Sequence, residues 1–174
     1  MIAEGLKLLS TNYDQIYETQ HPIDMVEALA MLNSWDFTRI TDDKIVVNVE
    51  ALWRNYILTL AISEEDRILK LACSFEIKAS KHSLSKIYET LNFINDSIWS
   101  GAFTYMAANN VIIYKYGLVL NDDYDLTDNQ IDQILSDTIS NCEGFYPYLQ
   151  KVVWGGASPS EAIGIAMMPT QGEA

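Results

Sequence analysis

Arg67-Ile68-Leu69-Lys70-Leu71-Ala72-Cys73-Ser74-Phe75-Glu76-Ile77 alternates along its whole length. Leu69, Leu71, Cys73, Phe75 and Ile77 fall on one side of an extended chain, and Lys70, Ala72, Ser74 and Glu76 on the other. A period of two sustained this long predicts a strand with one face on a core and one toward water. The same pattern reads outward. Across residues 52–62, Tyr56, Leu58, Leu60 and Ile62 oppose Trp53, Asn55, Ile57 and Thr59; before them, Ile45, Val47 and Val49 oppose Val46, Asn48 and Glu50. Residues 35–40 alternate as well, and Thr41-Asp42-Asp43 supplies turn chemistry. Four strands joined by short turns make an antiparallel meander.

Helical spacing flanks this block. Ile23, Val26, Leu29, Ala30 and Leu32 share a stripe behind Pro22, which suits a first helical position. Leu84, Ile87, Tyr88, Leu91, Ile94 and Ile98 repeat at three and four over residues 83–98, with Ser80 or Ser83 as N-cap. Two further β-rich runs, 102–108 and 111–120, are separated by Asn109-Asn110, which tolerates the positive φ of a tight hairpin. Thr127-Asp128-Asn129-Gln130 is a capping box opening a long helix, which Gly144 or Pro147 should interrupt or kink. Gly155-Gly156 then stops that helix, and Ser158-Pro159-Ser160-Glu161 starts a short one. The order α-β-β-β-β-α-β-β-α-α predicts an α+β fold, a mainly antiparallel sheet with helices packed on one face. Residues 21–174 read as a single domain, preceded by an arm over 1–20 whose residues 4–18 carry a weak helical pattern.

Composition narrows the function classes. The 174 residues are 49% apolar, enough for one core. Eleven Lys plus Arg against 24 Asp plus Glu give a net charge of −13, which repels nucleic-acid phosphates and anionic lipid. No apolar run approaches the roughly 20 residues of a membrane-spanning helix, so no membrane partner is expected. The N-terminus lacks a secretory pattern, and Cys73 and Cys142 form neither a disulfide framework nor a metal knuckle. Both features predict a cytoplasmic protein with reduced thiols.

Several strings resemble successive blocks of one family. They are His21-Pro22-Ile23-Asp24, Trp35-Asp36-Phe37, Trp53-Arg54-Asn55-Tyr56, Leu71-Ala72-Cys73-Ser74-Phe75, and the run from Cys142-Glu143-Gly144-Phe145-Tyr146-Pro147 through Trp154-Gly155-Gly156 to Ala162. Over residues 21–174 the chain resembles the bacterial YbjN-domain proteins, labelled sensory transduction regulators. The resemblance implies a fold like that of type III secretion chaperones and a family without a settled biochemical activity. Ala102 stands where the family usually has His, which removes a proton-transfer role at that position.

Chemical motifs are sparse. His21 and His82 both stand beside helix starts, where capping is their expected role. No nucleophile elbow, P-loop, dinucleotide fingerprint or zinc-binding His pair is present. The acidic run Asn121–Asp128 misses the calcium-loop register and reads as a solvated loop before the long helix. No cofactor and no metal site is predicted. Trp53, Ile57, Phe103 and Tyr105, with Trp35, are read as lying off the helix-covered face, where an aromatic surface suits a polypeptide partner or a homodimer. The expectation is therefore a non-enzymatic, chaperone-like or regulatory protein-binding domain. The alternative is an enzyme or small-ligand protein with a pocket near Tyr146, Tyr148 and Trp154, where a glycine pair precedes a helix N-terminus.

Overall fold

The computed structural model describes residues 21–63, 65, 67–121 and 126–166, without the side chains of Lys81 and 163–166. The expected arm over 1–20 and most of the acidic loop lie outside the described residues. The elements are α1 (Pro22–Leu32), β1 (Asp36–Thr41), β2 (Lys44–Glu50), β3 (Asn55–Ser63), β4 (Ile68–Glu76), α2 (Leu84–Ser97), β5 (Ala102–Met106), β6 (Val111–Val119), α3 (Asp128–Val153) and α4 (Pro159–Ala166). Their order and class are those the sequence predicts.

All six strands form one sheet in the order β1-β2-β3-β4-β6-β5, and every neighbouring pair is antiparallel. Registers align Phe37, Val47, Leu58, Cys73, Tyr114 and Phe103 in one row across the sheet. Every member of that row belongs to the core or packs against it. Over this face α1 contacts β1 and β2, α3 contacts β4, and α2 contacts β5. α4 packs outside, against α2 and α3. The period-two phase of each strand thus determines which side the helices cover.

Local chemistry sets the ends of the helices. The His21 ring accepts from the Ile23 N–H at 3.3 Å and so caps α1, while its other nitrogen lies 3.1 Å from Asp43 Oδ1. Both halves of the capping box at Thr127 and Gln130 are formed. At α4, the Glu161 N–H donates to Ser158 Oγ and the Ser158 N–H donates to the Glu161 carboxylate. These hydrogen bonds from the Ser158 N–H and hydroxyl hold the Glu161 carboxyl below its ordinary value. Ser83 is the N-cap of α2 but makes no side-chain capping bond, because a short 3-10 turn over Lys81–Ser83 precedes the helix.

Three expectations need correction. First, α3 runs uninterrupted through Gly144 and Pro147 to Val153. Cys142, Tyr146, Leu149 and Val152 are buried on both sides of the proline, so packing of one stripe outweighs the lost N–H. Second, β3 begins at Asn55, so Trp53 sits in the β2–β3 connection rather than on the sheet. Third, Phe103 and Tyr105 lie on the covered face, 2% and 8% exposed. Their partners across the hairpin, Tyr114 and Ile112, are buried, and pairing in register carries β5 into the same phase. Trp35 likewise packs against the core.

Gly101, at φ 73°, makes the entry to β5. A Cβ there would fall within 2.7 Å of the Tyr114 ring and the Lys115 carbonyl, so only glycine fits. Asn95 of α2 accepts from the Phe103 N–H at 2.8 Å and donates to the Phe103 carbonyl at 3.0 Å. This amide occupies outward backbone groups of the edge strand β5 and so blunts it as a template for further pairing.

Candidate functional site

The sheet's second face carries no helix among the described residues. One row across it reads Asp36, Asn48, Ile57, Ser74, Ile113 and Thr104; the next reads Thr38, Val46, Thr59, Ala72, Lys115 and Ala102. Ile57 is 47% exposed, and Met106 and Val119, in the same phase, are also exposed. Val46, Ile113 and Val111 are half-buried. Apolar groups are thus spread over β2, β3, β5 and β6, with Lys70 and Lys115 standing among them on the adjacent strands β4 and β6. Two depressions mark it. One, of about 740 Å³, lies at the β1–β3 end beside the α1–β1 turn. The other, of about 300 Å³, has a floor of small residues, Thr59, Ala61 and Ala72, between the two lysine stems.

Of the residues expected to meet a partner, Ile57 is the one this face displays. Trp53 is half-exposed at the end of the sheet on the helical side, where its N–H lies 3.3 Å from both carboxylate oxygens of Glu143 on α3. Phe103 contributes instead to a buried aromatic set with Tyr114 and Phe145, at ring separations of 4.9 and 6.0 Å. Tyr105 packs edge-on to Tyr88 at 6.1 Å and donates to Asn110 Oδ1 at 3.0 Å.

The residues expected to line a pocket do not converge. Tyr146 is buried edge-on against Phe75 at 5.8 Å. Tyr148, two positions on and therefore on another side of the helix, meets Phe145 and the Lys151 ammonium. Trp154 is 54% exposed and donates its ring N–H to the Lys78 carbonyl at 3.2 Å, a contact that fastens the end of α3 to the segment after β4. None of the three lines either depression.

Two groups of family-like blocks do meet in space, a junction the sequence reading missed. The Arg54 guanidinium lies over the rings of Phe75 and Tyr146 and donates to the Glu76 carbonyl, while Glu143 holds the neighbouring Trp53 N–H. Behind them burial, and then the Glu143 carboxylate, push the Tyr56 hydroxyl far above its ordinary value. Cys142 is driven up strongly as well, by hydrogen bonding with the Cys73 thiol and by burial. Both cysteines are free and buried. A Cys142 thiol held neutral in this way is a poor nucleophile. The signal for this junction was present as Trp53-Arg54 and Cys142-Glu143, but ninety residues separate its halves, and only the docking of α3 joins them. Among the described residues, no group of three or more His, Cys, Asp or Glu is placed to hold a metal ion.

The architecture is a two-layer α+β domain with one sheet face covered and the other open. Residues 22–151 match the YbjN family model, whose description is "Putative bacterial sensory transduction regulator". The chain belongs to the YbjN family. The matched span ends at Lys151, so Trp154 and α4 lie beyond it. No curated protein and no solved structure matches the chain.

Proposed function

We propose that this domain is a non-enzymatic regulatory module that binds a polypeptide across the open face of its sheet, in a chaperone-like manner. The observation that carries this reading is the solvent-facing set formed by Ile57, Met106 and Val119 with the half-buried Ile113 and Val46. Apolar groups spread over one face attract a partner because their burial releases water. Family membership supports a regulatory role. Buried cysteines and a histidine already occupied at a helix cap support the non-enzymatic part. The face would also serve self-association, and we place the working form as a cytoplasmic homodimer. In agreement with that location, no helix among the described residues is long and apolar enough to cross a membrane.

Ile57→Ser tests the reading, because the side chain is already half in water and its removal leaves the core intact. Affinity capture from the native cytoplasm with wild type and with this variant should show partner loss together with an unchanged thermal midpoint. Equal capture by the two proteins would move the binding surface elsewhere. Sedimentation of the same pair reports whether a second copy uses the face.

A further inference from the structure

We propose that the larger depression, at the β1–β3 end of the open face, receives an arginine or lysine side chain of the bound polypeptide. The inference rests on the polypeptide-binding reading and names the chemistry of the partner. Its volume of about 740 Å³ lies within the range of roughly 300–1,000 Å³ typical of ligand sites. Asp36 stands directly opposite Asn48, Asn48 opposite Ile57, and Glu50 opposite Asn55. Two carboxylates and two amides therefore share one face of three adjacent strands.

Sheet geometry sets their spacing. Asp36 and Glu50 occupy a diagonal of the ladder, which places their Cβ atoms roughly 7–8 Å apart. That gap admits a planar guanidinium between two carboxylates, with the Asn48 and Asn55 amide oxygens as further acceptors. All four side chains are exposed, and among the described residues none takes part in a hydrogen bond or ion pair. They need not leave an existing partner to bind a cation. Asn33 and Ser34 add polar lining at the α1–β1 turn, and Trp35 and Ile57 add apolar surface that suits the alkyl stem of a long basic side chain. No Lys, Arg or His lines the depression, and the net charge of −13 favours the approach of basic segments.

Continuity with the rest of the face argues for a polypeptide over a free amine. Ile57 belongs to both the depression and the apolar set, and Ile113 follows two strands away in the same row. A chain laid along that row would bury Ile57 while its basic side chain enters between Asp36 and Glu50. Spermidine would meet the carboxylates and lay at most an alkyl stem on Ile57, without covering Ile113 two strands away.

The test uses the full chain, isotope-labelled, at an ionic strength of about 0.15 M, where distant surface attractions are screened. The probes are a capped octapeptide alternating leucine with arginine, the same peptide with citrulline for arginine, and spermidine. The arginine peptide should shift the Asn48, Asn55 and Ile57 signals, and the citrulline peptide should bind about tenfold more weakly or worse. Asp36→Asn combined with Glu50→Gln should reduce binding of the arginine peptide by a similar factor. The citrulline comparison uses wild-type protein, so it holds whatever the variant's stability. Citrulline and arginine peptides of equal affinity would overturn the cleft assignment while leaving the face as a polypeptide site. Spermidine bound as tightly as the arginine peptide would overturn it in favour of a small-amine site. Binding of neither peptide would remove the assignment together with the reading beneath it.

Discussion

The Arg54 guanidinium lies 5.3 Å from the centre of the Tyr146 ring, and it joins the β2–β3 connection to the long helix. It also stands 5.5 Å from the Phe75 ring and donates to the Glu76 carbonyl, so a single side chain ties together three separate stretches of chain. A cation over a desolvated aromatic face contributes about 1–2 kcal/mol.

Arg54→Met should therefore lower unfolding free energy by about 2 kcal/mol, measured by urea denaturation, because it removes both the ring contact and the bond to Glu76. A double-mutant cycle with Tyr146→Leu should return a coupling of about 1 kcal/mol. Additive effects of the two substitutions would show that the rings and the cation merely lie near each other.

Ile57 and Phe103, both expected on one surface, should behave oppositely. Phe103→Ser removes a buried ring from the Tyr114–Phe145 cluster and should cost about 3–5 kcal/mol. Ile57→Ser should stay within about 1 kcal/mol of wild type, since the side chain is half-exposed. Thermal unfolding of the two variants side by side checks the face assignment without any partner.

Thr127→Ala should destabilise the protein by about 1 kcal/mol through loss of the capping box that opens α3. Thr127→Ser should restore most of this, because the hydroxyl still accepts from the Gln130 N–H. Chemical denaturation of the pair separates the cap from the methyl group's own packing.

Alkaline pH should weaken the fold. Cys142 and Tyr56 are both raised above their ordinary values of 9.0 and 10.0, so the folded state favours the protonated forms. Their contribution is complete below those ordinary values and is lost as pH climbs above them toward the folded-state values. The urea midpoint should hold steady from about pH 7 to 8.5 and fall beyond about pH 9, with a smaller fall in Cys142→Ala. Thiol reagents should meanwhile leave both cysteines unmodified in the native protein at about pH 8 and label them once it unfolds.

Strand phase was legible wherever alternation was long. Leu69 to Phe75 and Tyr56 to Ile62 declared their buried sides, and the helices over 22–32 and 84–97 followed from their apolar stripes. In residues 102–106, by contrast, Ala102, Thr104 and Met106 alternate with Phe103 and Tyr105 without a charge to mark the wet side, and the phase came from pairing with β6. Trp53 misled for a related reason. An aromatic ahead of a strand resembles its first residue, whereas the Glu143 carboxylate holds its N–H in a connection. Pro147 was given its local helix-breaking weight, and burial of Tyr146 and Leu149 on either side decided otherwise. The depression between Asp36 and Glu50 required the β1–β2–β3 register, which no single stretch of sequence contains.

The most direct test of the binding claim places a photo-crosslinking phenylalanine analogue at position 57 and irradiates the protein in its native cells. We predict a covalent adduct to a polypeptide, identified by mass spectrometry as a second copy or another chain, and none when the analogue replaces exposed Trp99. Adducts from position 99 but not from position 57 would contradict the account.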